Sequence, residues 1–256
     1  MDPKPLGTMN DLDPTLGLHV LKREFQKKYM GEQCESLLAH LDEAIDHTLR
    51  LAPVRERPYL VSHESAKHPI HAEGRLERAL HGQWVAPQCE PAVGCWQRII
   101  AFQVNLPNER DDHWGEIDLL GVDNAGLPVV IELKQADATD TPAALLVQGA
   151  AYGLVLQKAW STFRAEWRNY LRTELGLQPT LPTALHPVSI VCVAPSAYWD
   201  EWVGDTPRAK TVRPAAWEAV CRLREALAER GLKATFARVD EVNGVFATKV
   251  VTLPCK

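Results

Sequence analysis

The sequence predicts an α/β fold: a mixed central sheet flanked by helices, with an N-terminal helical extension. Three observations predict it. Two apolar strand-like segments, 115–121 and 129–134, flank the turn-forming run Asp123-Asn124-Ala125-Gly126. A helical stretch then leads to a short continuous apolar run, 188–193, suited to a buried strand. The tail reads as one more helix followed by two strands joined through Asn243-Gly244.

In chain order, residues 1–15 hold three prolines and a glycine and read as a flexible start. Residues 16–50 read as helix, broken near Gly31, with Leu37, Leu38, Leu41, Ala44, Ile45 and Leu49 forming an apolar stripe. That stripe predicts a helical layer on the core; the alternative is a dimerisation or DNA-clamping arm. Three prolines make 51–70 a connector, so residues 1–60 are expected as the extension and 61–256 as the main domain. A core helix is expected over 71–81, with Leu76 and Leu80 inward. Ile99, Ile100, Phe102 and Val104 predict a strand over 98–106, and the polar segment 107–114 reads as a loop near substrate. Helices are expected over 142–160 and 214–230, and strands over 234–239 and 245–253.

Composition narrows the class. At 256 residues and 46% hydrophobic content the chain can bury a large core. No apolar run of about 18 residues suggests a membrane span, and Met1-Asp2-Pro3-Lys4-Pro5 lacks the pattern of a signal peptide, so a cytoplasmic location is expected. A net charge of −5 argues against a protein that coats nucleic acid nonspecifically. The six cysteines are scattered without a Cys-x-x-Cys pair, which speaks against zinc and a disulfide framework. His63, His68, His71, His81 and His113 show no compact ligand spacing; His113, just before the hairpin, is the first candidate among them for an accessory role. There is no Walker loop and no Gly-x-Ser-x-Gly elbow.

The anomaly is charge inside the hairpin. Asp118 interrupts the first strand, and Glu132 and Lys134 interrupt the second. Charge is seldom buried without a chemical reason. A loop centred near Ala125 puts Asp118 opposite Glu132. Strand alternation then gathers Asp118, Glu132 and Lys134 on one face, with Ile117, Leu119, Ile131 and Leu133 on the other. Opposed carboxylates about 5 Å apart repel by a few kcal/mol at an effective dielectric of about 20, so something positive should sit between them. Lys134 supplies part of that charge, and a hard cation such as Mg²⁺ can supply the rest. A lysine there can orient or deprotonate an attacking water. On the following helix Gln148 and Tyr152, four residues apart, share a face.

An Asp on one strand, Glu-x-Lys on the next and Gln-x-x-x-Tyr on a helix resemble the PD-(D/E)xK nuclease superfamily, in particular its RecB-like and NucS-like branches. The resemblance covers residues 70–160. It implies a restriction-endonuclease-like fold with its active site at the splayed end of the hairpin, and metal-dependent hydrolysis of phosphodiester bonds, DNA first. By the same resemblance Asp118 and Glu132 bind one or two Mg²⁺ or Mn²⁺ ions, the Leu133 carbonyl adds a ligand, and Lys134 positions the water. The first core helix of such proteins commonly offers a glutamate, and both Glu73 and Glu77 fit. Gln148 and Tyr152 would steady the lysine, the water or a phosphate. Some RecB-like members carry an iron–sulfur cluster, for which no clustered cysteines are present here.

Arg164, Arg168 and Arg172, interleaved with Trp160, Phe163, Trp167 and Tyr170, form a candidate nucleic-acid surface. The plainer expectation is aromatics in the core and arginines in water. Two function classes follow: a Mg²⁺- or Mn²⁺-dependent deoxyribonuclease, or a non-catalytic nuclease-fold module binding nucleic acid or a partner protein. Intact Asp, Glu and Lys favour the enzyme. Nucleic acid is the expected partner, with a second copy of the chain or another protein as further candidates, and no membrane.

Overall fold

Six strands form one mixed sheet in sequence order: β1 Arg98–Asn105, β2 Glu116–Val122, β3 Pro128–Leu133, β4 Val188–Ala194, β5 Leu232–Val242 and β6 Val245–Val250. The computed structural model describes residues 16–26, 30–56, 58–60, 72–85, 90–92, 94–107 and 114–254. β1, β2 and β3 form an antiparallel meander, β3, β4 and β5 run parallel, and β6 folds back antiparallel on β5. All of β3 is buried, as expected of a parallel strand covered on both faces, and this explains its unbroken apolar reading. The β5–β6 turn is Asn243-Gly244, both at positive φ (54° and 79°), the geometry that a two-residue hairpin demands.

The parallel pairings need crossovers, and helices supply them. α4 (Ala72–Trp84) precedes the sheet and packs on the face of Leu119, Ile131 and Leu133. α5 (Pro142–Glu174) connects β3 to β4 and packs on the other face, over Leu120 and Val130. It begins under clear instruction: Pro142 opens its first turn, and the Thr141 hydroxyl caps it by accepting from the Ala144 N–H at 3.1 Å. The helix runs without interruption for 33 residues, past the end expected at 160 and through the stretch that carries Arg164, Arg168 and Arg172. Between β4 and β5 lie α6 (Ser196–Val203), α7 (Pro207–Thr211) and α8 (Pro214–Glu229). The first two of these were not anticipated from the sequence.

The N-terminal region is α1 (Leu18–Leu21), a 3₁₀ turn (Glu24–Gln26), α2 (Met30–Ala39) and α3 (Leu41–Leu51). The break expected near Gly31 falls just before it: α2 begins at Met30, so Gly31 lies inside α2, and a second interruption falls at His40. Gly31 has a packing role instead. A Cβ there would stand 2.6 Å from the Ala216 Cα, so only glycine lets α2 approach α8 this closely. Leu18, Leu21, Phe25, Leu37, Leu41 and Ala44 share one apolar cluster with α5, as a layer on the core. Cys34, Cys95 and Cys192 are free thiols and Cys221 is disulfide-bonded. No described helix is long and apolar enough to cross a membrane.

Candidate active site

The β2–β3 register pairs Leu119 with Ile131, Leu120 with Val130, Gly121 with Val129 and Val122 with Pro128. One further step brings Asp118 opposite Glu132, where the ladder ends. Asp123 sets this register by accepting at Oδ1 from the Ala125 and Leu127 N–H groups (2.9 and 2.8 Å), while Gly126 takes φ 79°. At the splayed end the Leu133 N–H, freed from the ladder, donates to Asp118 Oδ2 at 2.7 Å. Lys134 Nζ donates to Glu132 Oε1 at 2.9 Å and to the Leu133 carbonyl at 3.0 Å. The three charged residues therefore share one face of the hairpin.

α4 brings in its two glutamates differently. Glu73 approaches the Lys134 ammonium at 3.4 Å and lines a cavity of about 530 Å³ together with Asp118, Lys134, Gly115, Gln148 and Tyr152. Glu77 is not among the cavity-lining residues; it is buried and hydrogen-bonded to Gln103, itself at φ 50° in β1. Of the two, Glu73 is the one placed to reach an ion or substrate. Asp140 Oδ2, 4.0 Å from Lys134 Nζ, completes the acidic surround.

Burial dominates the electrostatics, and mutual repulsion adds to it. Burial and the Asp118 charge push the Glu132 carboxyl well above the usual range, against the pull of Lys134. Asp118 and Glu73 are raised for the same first reason, with Lys134 opposing in each case. Glu77 is pushed up to about 7 by burial and then by Asp118. For Lys134 burial alone would favour the neutral amine, but Glu132, Asp118 and Glu73 outweigh it and hold the ammonium above lysine's ordinary value. Held as an ammonium, Lys134 is a hydrogen-bond donor that can orient a water.

Gln148 and Tyr152 do share a face of α5, and that face looks into the cavity. Gln148 Nε2 donates to the Tyr152 hydroxyl oxygen at 3.0 Å. Burial, followed by Glu132 and Asp118, keeps the phenol protonated. A residue missed in the sequence joins them: Lys22 Nζ lies 3.5 Å from the same oxygen, carried in from just after α1. No local pattern marks Lys22, because its role depends on a contact 130 positions away. Gly115, at φ 77°, opens the segment expected as the first hairpin strand, and a Cβ there would sit 3.0 Å from the Tyr152 hydroxyl.

The donor set suits a hard divalent cation in part. Two carboxylates and a carbonyl are enough for an ion that keeps most of its waters. Glu132 Oε2 is buried and accepts no hydrogen bond among the described residues, and the Glu132 carboxyl bonds the Asp118 carboxyl beside it. Against this, the Lys134 ammonium holds both Glu132 Oε1 and the Leu133 carbonyl, and no group of three His, Cys, Asp or Glu side chains suited to a metal occurs among the described residues.

The arginine row lies elsewhere. Helical rise puts Arg164 about 18 Å and Arg172 about 30 Å beyond Tyr152 along α5. Trp167 Nε1 donates to the Gly126 carbonyl at 2.8 Å, so this half of the helix covers the loop end of the hairpin rather than the carboxylates. Trp160, Phe163 and Trp167 are core residues. Arg164 donates to the Pro182 carbonyl at 3.1 Å, Arg172 bonds Asn169 Oδ1 at 3.0 Å, and Arg168 is exposed. His81 packs edge-on against Phe102, whereas His63, His68, His71 and His113 lie outside the described residues, as does most of the loop expected over 107–114. Compared with known proteins, the chain matches no protein-family profile, no curated protein and no solved structure.

Proposed function

We propose that the chain is a metal-dependent nuclease with a restriction-endonuclease-like fold, hydrolysing phosphodiester bonds, DNA first. One observation carries the reading: Asp118, Glu132 and Lys134 meet at the splayed end of a hairpin, below a cavity walled by Gln148 and Tyr152. Asp118, Glu132 and the Leu133 carbonyl would hold Mg²⁺ or Mn²⁺, with Glu73 at the rim. When bound, such an ion supplies positive charge for the phosphoryl oxygens and acidifies a coordinated water. Lys134 gives its three protons to Glu132, Leu133 and Glu73, and the 3.4 Å contact to Glu73 is the longest and the first to yield to a water or a phosphate oxygen. The protonated Tyr152 phenol offers a further donor.

A second reading is a non-catalytic module that binds nucleic acid or a partner protein. It is favoured by the self-neutralised state of the site, in which the ammonium already occupies two of the expected ligand atoms. A cleavage panel of linear, circular, mismatched and single-stranded DNA, plus RNA, decides between the two. The nuclease reading expects cleavage with Mg²⁺ or Mn²⁺, weak or no activity with Ca²⁺, and loss of about a hundredfold or more in Asp118→Asn, Glu132→Gln and Lys134→Met. Full activity in excess chelator, or no cleavage of any substrate, would sink it.

A further inference from the structure

The Tyr152 oxygen has two donors around it and one proton of its own. Gln148 Nε2 donates at 3.0 Å and Lys22 Nζ at 3.5 Å, and the same ammonium stands 5.6 Å from the ring centroid. Burial lowers the Lys22 pKa, while Glu132 and Asp118 pull against it; as an ammonium it has only protons to offer, as has an amide nitrogen, whereas a phenol has two lone pairs and a single O–H. With both lone pairs engaged, the phenolic proton must go to a third partner. Tyr152 and Gly115 both line the cavity, and the absent Gly115 side chain, whose Cβ would stand 3.0 Å from the hydroxyl and 4.0 Å from Lys22 Nζ, leaves that direction open.

Lys22 is held for this position. Its neighbours Leu21 and Phe25 are fully buried, and the Leu18 N–H donates to Thr48 Oγ1 at 2.8 Å. The Phe25 carbonyl accepts from the Thr141 hydroxyl, the cap of the helix that carries Tyr152. The segment bearing Lys22 and the helix bearing Tyr152 are thus pinned to each other.

Resting on the nuclease reading, we infer that Lys22 is a positioning residue: with Gln148 it makes Tyr152 an obligate hydrogen-bond donor to a phosphate oxygen of the bound strand. Lys22 acts through the phenol rather than on the phosphate itself, since Tyr152 lines the cavity and Lys22 is not among its lining residues.

The test is a double-mutant cycle on the cleaved substrate, with Lys22→Met, Lys22→Arg, Tyr152→Phe and the Lys22→Met/Tyr152→Phe pair. Each neutralising single change should lower kcat by roughly ten- to a hundredfold, the double should lose no more than Tyr152→Phe alone, and Lys22→Arg should recover most of the rate. Multiplying losses, or a Lys22→Met variant at the parental rate, overturn the inference. If Lys22→Met fails to fold, Lys22→Gln takes its place in the cycle. A second readout needs no activity: the ultraviolet resonance Raman tyrosine doublet of Tyr152, isolated by subtracting the Tyr152→Phe spectrum, should move away from its acceptor-type ratio when Lys22 is neutralised. An unmoved doublet overturns the Lys22–Tyr152 link. A parent that cleaves no substrate ends the nuclease reading and the phosphate half of the inference, while the Raman comparison still decides whether Lys22 holds the phenol.

Discussion

Glu77 shows what one residue contributes when a site collects negative charge. It is buried, its Oε2 lacks a hydrogen-bond partner among the described residues, and burial together with Asp118 raises its carboxyl from 4.5 to about 7. A raised folded-state pKa means that the protonated form is the favoured one in the fold. The stability linked to it is fully present below about pH 4.5 and is lost as pH rises through about 7. Glu77→Gln keeps an oxygen for Gln103 and removes the charge. It should therefore be more stable than the parent at pH 8 by on the order of 2–3 kcal/mol, and near-equal at pH 4. Unfolding midpoints in urea at the two pH values measure this; an equal effect at both would show that the ionised form is not penalised. Because the change relieves a buried charge outside the cavity, it separates the stability cost of the acidic cluster from its chemistry.

Among the elements, the hairpin and most helix boundaries were legible, α8 being expected over 214–230 and found over Pro214–Glu229, whereas the far end of α5 was not. Turn residues and period-two alternation are local, so Asp118, Glu132 and Lys134 could be assigned a shared face from spacing alone, and the observed register agrees. The Gln148–Tyr152 spacing is likewise local. Gly31 is the opposite case: as a helix-breaking residue it reads as an interruption, but its environment is the Ala216 backbone 185 positions further along, which no local pattern encodes. Lys22 stayed invisible for the same reason, whereas Trp160, Phe163 and Trp167 lie in the core, as the plainer expectation for the aromatic run had it. The α2–α8 seam makes this testable. Gly31→Val should destabilise by about 1–3 kcal/mol through overpacking, although it raises no objection on helix grounds, where glycine is the poorer residue. Chemical denaturation reads the change; a neutral or stabilising result would mean the two helices can separate without loss.

At the scale of the whole molecule the site is a junction. Lys22 comes from the N-terminal layer, Glu73 from α4, the central charges from the β2–β3 hairpin, and Gln148 with Tyr152 from α5. The sequence divides into an extension over 1–60 and a domain over 61–256, with the extension expected as a helical layer on the core. The packing agrees with that layer: Leu18, Leu21, Phe25, Leu37 and Leu41 are each at most 2% exposed, and all belong to the cluster that contains the inner face of α5. Fully burying such a side chain stabilises by roughly 1.5–3 kcal/mol, so the five together amount to on the order of 10 kcal/mol, as much as a typical domain's whole net stability. A chain starting at residue 61 should accordingly lose its cooperative unfolding transition, and adding the segment 1–60 as a separate peptide should restore part of it. Circular dichroism during urea titration distinguishes the cases. If the shortened chain unfolds cooperatively at the parental midpoint, the N-terminal layer is an appendage after all, and Lys22 reaches Tyr152 from a unit the core does not need.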